Sequence, residues 1–122
     1  MSIQESGEMY LETILILSKE KEKVRAVDIA EHMNFSKAAI SRALNRLRES
    51  GHIVDSDDSA VKLTDSGLQI AENIYKKHVL LTECIMRLGV DEETARADAC
   101  KIEHDISDIT FEAILHHAGL EL

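Results

Sequence analysis

The chain has 122 residues, of which 44% are hydrophobic and 30% charged, and its net charge is −9. This length predicts one domain or a compact lobe with an appendage, and the composition is globular rather than disordered. Two cysteines are too few for a disulfide scaffold, and no apolar run approaches the roughly 18 residues of a membrane span. We therefore expect a cytoplasmic protein with no membrane partner.

The first half of the chain predicts three helices. Apolar residues recur at near-helical spacing over about residues 4–18, and a second helix is expected near 26–33. After a short turn, Ser36 is a good N-cap for a third helix, which Gly51 ends as a C′ glycine would. Two helices joined by a short turn are typical of a helix-turn-helix.

The second half predicts a hairpin followed by further helices. Two short β-branched runs, 53–54 and 60–63, flank an Asp/Ser cluster and so predict two strands. Thr64 is expected to cap a long helix over about 65–88, another helix begins near Asp91, and an amphipathic stretch ends the chain. The expected fold is mainly α: a winged helix-turn-helix with a small β-hairpin wing, followed by a helical domain.

The third helix is a candidate DNA-reading element. Residues 19–50 carry eight bases against five acids, although the whole chain is acidic. An α-helix fits the major groove, where Arg can bond to guanine and Asn to adenine, while Arg46 and Arg48 are expected nearer to phosphates. A three-helix packing unit with solvated arginines is the alternative, but the turn, the polarity and the hairpin together favour DNA. The candidate DNA-binding residues are Ser36, Lys37, Ala38, Ala39, Arg42, Asn45 and Arg46.

The predicted wing is acidic, with Asp55, Asp57 and Asp58 in its turn. Carboxylates and DNA phosphates repel each other, whereas basic side chains supply most sequence-independent DNA affinity. We therefore expect this wing to contribute little to DNA affinity.

A possible metal-binding motif lies near the C-terminus. Cys100, Glu103 and His104 stand at i, i+3 and i+4, so one helix would place all three side chains on one face. Thiolate, carboxylate and imidazole all bind first-row metals. Spacing alone leaves open a buried cysteine beside a surface Glu–His pair. The HExxH and CxxC patterns are absent from the sequence, which disfavours a zinc hydrolase or a zinc finger.

Several short motifs along the chain occur in the order and at the spacing of one known family. They are Glu8-Met9-Tyr10-Leu11-Glu12, Val27-Asp28-Ile29-Ala30-Glu31, the third helix over 36–51, Leu63-Thr64-Asp65-Ser66-Gly67, Lys77-His78 and Cys100-Lys101-Ile102-Glu103-His104. With these motifs the chain resembles the diphtheria-toxin-repressor family of metal-dependent transcriptional regulators. The resemblance is to the short form typified by manganese transport regulators, and it covers essentially the whole chain.

The resemblance implies a winged-helix DNA-binding domain over 1–70 and a helical dimerisation and metal-binding domain over 71–122. It also implies a homodimer that binds double-stranded operator DNA. One divalent ion would be held by four side chains, and two more match a neighbouring site. The implied ligands are Met9, Cys100, Glu103 and His104, with Glu12 and His78 at the neighbouring site.

The resemblance further implies a metal-dependent repressor of metal homeostasis genes, with no enzymatic activity and no organic cofactor. Manganese-type members carry aspartate where Met9 stands and glutamate where Cys100 stands. Sulfur ligands are softer than carboxylates, so we expect Fe²⁺ to be the effector, with Mn²⁺ second. The alternatives are a Mn²⁺-responsive repressor of the same family and a winged-helix regulator that senses a non-metal ligand. A metalloenzyme or metal carrier is a further, less favoured alternative.

Overall fold

The computed structural model describes the backbone of residues 5–120 and the side chains from residue 7 to residue 120. This part of the chain is mainly helical, with one two-stranded antiparallel hairpin. The elements are α1 (Glu5–Glu20), α2 (Ala26–Met33), α3 (Lys37–Glu49), β1 (Ile53–Asp55), a short 3-10 turn (Asp57–Ser59), β2 (Val61–Leu63), α4 (Asp65–Arg87), α5 (Glu92–Ile102) and α6 (Asp108–Ala118).

The predicted winged helix-turn-helix is confirmed by this order of elements. Helix α1 runs to Glu20, two residues past the predicted end at Ser18, and the predicted start at Gln4 lies outside the described residues. No helix within residues 5–120 combines the length and the apolar character that crossing a bilayer requires.

The chain divides into two compact units, residues 1–72 and residues 73–122. In the N-terminal unit, α1 packs against α2, α3 and β2, and α3 also packs against β1. The three helices and the wing therefore share one core. Its fully buried apolar side chains are Leu11, Ile14, Ile29, Ile40, Leu44 and Ile53.

The turn between α2 and α3 follows from local chemistry. Asn34 ends α2 in the left-handed conformation at φ 57°, which asparagine tolerates better than most residues. Ser36 then caps α3, since its side-chain oxygen accepts a hydrogen bond from the backbone N–H of Ala39 at 3.1 Å. Gly51 follows α3 at φ +81°, as the predicted C′ glycine requires. The short turn fixes α3 relative to the rest of the unit.

The wing is joined to the helices through backbone hydrogen bonds. Strands β1 and β2 pair in a register that places Ile53 opposite Leu63. On the other edge, the backbone N–H of Val61 donates to the carbonyl of Val24 at 2.8 Å. The connector before α2 thus adds a bridge to the hairpin, which helps to satisfy the edge of a sheet of only two strands.

Helix α4 begins in close contact with the segment that follows α3. A Cβ atom at Gly67 would lie 2.0 Å from the carbonyl oxygen of His52, so only glycine fits there. The hydroxyl of Thr64 accepts from the N–H of Gly67 and donates to the carbonyl of Gly51 at 2.8 Å. The predicted cap at Thr64 therefore ties the start of α4 to the end of α3.

The C-terminal unit has its own apolar cluster and two polar links. The cluster contains Leu81, which is 3% exposed. The buried Lys77 pairs with Asp108 in the first turn of α6, with 2.9 Å between Nζ and Oδ1. Arg87 donates to the carbonyl of Ala118 at 2.9 Å. Ala118 is the last residue of α6, and a cation stabilises the C-terminal end of a helix. These links hold α6 against α4. The buried cluster residues are Leu81, Ala99, Phe111 and Leu115.

Candidate metal centre and DNA-binding surface

The C-terminal end of α5 gathers three potential metal ligands. One ligand atom from each of Cys100, Glu103 and His104 lies within 4.8 Å of the other two. The sequence predicted one continuous helix through all three, but α5 ends at Ile102 and His104 lies in the turn beyond it. The three side chains still lie close together because Glu103 keeps helical dihedral angles and its N–H donates to the carbonyl of Ala99.

Glu103 is the most buried member of this group, with 1% of its surface exposed. Its Oε2 is joined to Nδ1 of His78 by a hydrogen bond of 2.9 Å, and its Oε1 lies 3.4 Å from Nε2 of His104. Within the described part of the chain, that Oε1 is buried and has no hydrogen-bond partner. Burying a carboxylate oxygen without a hydrogen bond is costly, and a cation at this position would offset the cost.

The donor set fits a divalent transition metal. Sulfur, oxygen and nitrogen ligands of mixed softness accept first-row ions in general, and none of these side chains is specific for one metal. His78, hydrogen-bonded to Glu103 from α4, is placed either to orient that carboxylate or to add a nitrogen ligand. Sequence alone gave no indication of the hydrogen bond between His78 and Glu103, because 25 residues separate them.

The other cysteine has a different environment. Cys84 packs against the apolar cluster of the C-terminal unit, and burial raises the pKa of its thiol. A metal binds the thiolate, so a raised pKa disfavours metal binding at Cys84. Of the two cysteines, Cys100 is therefore the better candidate for a metal ligand.

The two remaining predicted ligands lie on α1 in the N-terminal unit. Met9 is half-buried, and Glu12, three residues further on, is buried. Residues three apart on a helix share a face, so both side chains project from the same side of α1. A carboxylate is seldom buried without a polar or ionic role.

The predicted DNA-binding residues occupy the exposed side of α3. Buried apolar residues of this helix face the core, whereas Ala39 is half-buried and Ser36 serves as the N-cap. The polar and basic candidates are therefore available for contact on one surface. The exposed candidates within α3 are Lys37, Ala38, Arg42, Asn45 and Arg46.

Helix α3 and the wing are joined by a side-chain contact that the sequence did not predict. Arg48, which is expected near DNA phosphates, pairs with Asp55 of β1, with 2.9 Å between Nη2 and Oδ1. Its Nη1 also donates to Oδ1 of Asn45 at 2.8 Å. The opposite charges at positions 48 and 55, close in sequence across the end of α3, were the available signal for this contact.

Two protein-family models match the chain in succession. The iron dependent repressor N-terminal DNA-binding domain matches residues 2–61. The metal-binding and dimerisation domain of the same family matches residues 64–119. The order of the two domains is the one that the fold and the ligand group indicate.

Similar proteins and structures are regulators as well. An HTH-type transcriptional regulator of Methanocaldococcus jannaschii is 30% identical over 92% of this chain and 91% of its own length. The transcriptional regulator MntR of Geobacillus thermodenitrificans is 31% identical over 84% of this chain and 72% of its own length. The structure of the manganese regulator SloR matches with a TM-score of 0.84 at 27% identity and covers 99% of this chain, which spans only 56% of SloR.

A winged helix with an exposed basic helix, followed by a helical unit with a cluster of potential metal ligands, is the arrangement expected of a metal-dependent DNA-binding regulator. The chain belongs to the iron dependent repressor family, which confirms the family predicted from the motifs. Metal binding within the family favours the predicted metal-dependent repressor over a regulator of a non-metal ligand.

Proposed function

We propose that this protein is a homodimeric repressor of metal homeostasis genes that binds operator DNA when a divalent metal is bound. The observation that carries the proposal is the group of Cys100, Glu103 and His104 in the same chain as the exposed basic face of α3. Residues 1–70 would form the DNA-binding domain and residues 71–122 the dimerisation and metal-binding domain. Such regulation breaks no covalent bond, so we propose no catalytic role, and we place the protein in the cytoplasm with its DNA.

The proposed ligands are the three clustered side chains of the C-terminal unit together with His78. Support comes from the buried, hydrogen-bond-deficient Oε1 of Glu103 and from the hydrogen bond between Glu103 and His78. We propose Met9 and Glu12 of α1 as further ligands, on the family motif and on the burial of Glu12. Bound metal would then favour the DNA-competent geometry, and a coupling of about 1–3 kcal/mol is ordinary for such regulation.

We propose Fe²⁺ as the effector, because thiolate and thioether ligands are softer than the carboxylates that Mn²⁺ prefers. A Mn²⁺-responsive repressor is the second candidate, and the similarity to the manganese regulator SloR favours it. Zn²⁺ and Co²⁺ are expected to bind well in vitro by the Irving–Williams order.

The function is tested by DNA selection followed by metal titration. Duplexes that bind the full chain are selected from a random-sequence pool without oxygen, in parallel with Fe²⁺ and with Mn²⁺. The affinity of the enriched duplex is then measured against the concentration of each metal. Affinity that rises with metal supports the proposal, and the metal with the lower half-activating concentration is assigned as the preferred ion. Equal affinity with metal and with chelator would contradict it.

Arg42→Ala is expected to weaken binding of the selected duplex by about 1–3 kcal/mol, as loss of a base contact does. Arg42 is exposed on α3, so folding and metal affinity should not change. Fluorescence anisotropy with selected and mixed-sequence duplexes measures the effect. An equal loss for both duplexes would show that Arg42 contacts phosphate instead of a base.

Dimerisation is expected to persist without metal. The C-terminal unit leaves large apolar side chains exposed, above all Ile109 of α6 and Leu88, and burial of such surface drives association. Ile109→Glu should therefore shift the metal-free protein toward monomer in sedimentation experiments.

Val27→Glu serves as the matched control, because Val27 is also an exposed apolar residue on a helix but lies in the N-terminal unit. It should remain dimeric. A wild-type protein that sediments as a monomer at micromolar concentration without metal would contradict the prediction.

A further inference from the structure

The acidic wing holds basic residues that would otherwise face solvent. Asp55 pairs with Arg48 of α3, and Asp58 pairs with Lys23, which precedes α2. The backbone carbonyl of Asp58 also accepts a hydrogen bond from Nε of Arg25 at 3.1 Å. Two of the three wing carboxylates are thus already engaged with cations of the same unit. The wing is therefore more than a source of repulsion toward DNA.

The contact at Arg48 is the most extensive of these. Its Nε and Nη2 both reach Oδ1 of Asp55, at 3.1 and 2.9 Å, and its Nη1 donates to Oδ1 of Asn45 at 2.8 Å. An arginine has only donors, so the amide of Asn45 must turn its oxygen toward Arg48. The NH₂ group of Asn45 is then the part of that amide left to donate hydrogen bonds, and Asn45 lies on the exposed face of α3.

The fold gains little from this contact. The side chains of Arg48 and Asp55 are 34% and 54% exposed, and ion pairs so accessible to water contribute about 0–1 kcal/mol to stability. For DNA binding the contact matters more, because a phosphate and the Asp55 carboxylate compete for the same guanidinium. Asp55 and Asn45 engage three of the five N–H donors of Arg48, and the Asp55 carboxylate neutralises its charge, so Arg48 gains little from a phosphate while the pair is intact.

We propose that Asp55 is a specificity-determining residue for DNA binding. It keeps Arg48 from sequence-independent phosphate contacts, and through Arg48 it holds the amide of Asn45 with its NH₂ group presented to base acceptors. Asp55 and Arg48 are positioning residues, and Asn45 makes the base contact. The inference rests on the DNA-binding function proposed above. It adds how the contact between α3 and the wing lets the protein distinguish operator DNA from other sequences.

The two effects act in the same direction. Phosphate contacts add equally to operator and random DNA, whereas base contacts add to the operator alone. Withholding Arg48 therefore lowers random-sequence affinity, and orienting Asn45 favours an acceptor such as N7 of adenine or guanine. Loss of Asp55 should weaken discrimination on both counts.

The test compares Asp55→Asn with Asp57→Asn, which removes the same charge from a wing residue that forms no ion pair among the described residues. Affinity of the full chain with saturating Mn²⁺ is measured on a mixed-sequence duplex over a salt series. Asp55→Asn should steepen the slope of log affinity against log salt by about 0.9, one phosphate contact, which adds about 3.5-fold to the loss between 50 and 200 mM salt. Asp57→Asn should leave the slope unchanged.

The variant Arg48→Ala distinguishes two effects of Asp55→Asn, namely the release of Arg48 and the loss of the Asp55 negative charge. Alone it should not change the slope, and combined with Asp55→Asn it should restore the wild-type slope. The ratio of affinities for the selected and mixed duplexes should fall in Asp55→Asn and stay near the wild-type value in Asp57→Asn. Equal slopes for the two wing variants, or a shallower slope for Arg48→Ala alone, would overturn the proposal. A wild-type protein that binds neither duplex would contradict the DNA-binding function itself.

Discussion

Glu103→Gln is expected to abolish metal-activated DNA binding while the fold stays intact. Glutamine keeps the volume of the side chain and an oxygen for His78, but it removes the negative charge beside Cys100 and His104. Replacing residues that only orient metal ligands typically costs 10- to 100-fold in metal affinity, so loss of a ligand should cost more than about 100-fold. Calorimetric titration with Mn²⁺ and circular dichroism measure affinity and fold separately.

Glu112→Gln provides the control, since Glu112 is an exposed acid of α6 in the same unit. It should bind metal and DNA as the wild type does. If Glu103→Gln retained wild-type metal affinity, Glu103 would be a structural carboxylate and the proposed ligand set would be wrong.

Cys100→Glu is expected to shift the metal response toward Mn²⁺. A carboxylate is a harder ligand than a thiolate, and Mn²⁺ prefers oxygen. The ratio of half-activating Fe²⁺ and Mn²⁺ concentrations should move toward Mn²⁺ by about tenfold, equivalent to about 1.4 kcal/mol of differential binding. The measurement is the affinity for the selected duplex during anaerobic titration with each metal.

Cys84→Ala should leave this ratio unchanged, because Cys84 packs against the apolar cluster and its thiol has a raised pKa. Adding Met9→Asp to Cys100→Glu should move the ratio further, since it replaces a second sulfur with oxygen. An unchanged ratio in the double variant would show that these two sulfurs do not determine metal selectivity.

Local patterns were sufficient to predict most of the fold. Caps and glycines act on adjacent residues, so Ser36, Thr64 and Gly51 marked element boundaries that the structure confirms within a few residues. Helix α5 is an exception, because it ends at Ile102 although the helical spacing of its potential metal ligands extends beyond that residue. Periodicity reports which face a residue occupies, and a C-cap residue with helical dihedral angles keeps that face.

Contacts between residues distant in sequence could not be predicted from local patterns. The pairing of buried Lys77 with Asp108, like the hydrogen bond from His78 to Glu103, depends on how helices of the C-terminal unit pack. The number of wing carboxylates alone predicts repulsion of DNA, whereas Asp55 and Asp58 form ion pairs with basic residues of the same unit. A single sequence supplies residue types and their spacing, whereas tertiary partners follow from the packing of the fold.

The close approach of Gly67 to His52 has a mechanical consequence. The first turn of α4 rests on the backbone after α3, with no side chain between them that could rotate to absorb a displacement. Close-packed interiors transmit strain because they are hard to compress. A tilt of that first turn is therefore expected to displace the segment after α3, so α3 and the start of α4 should move together as one rigid piece.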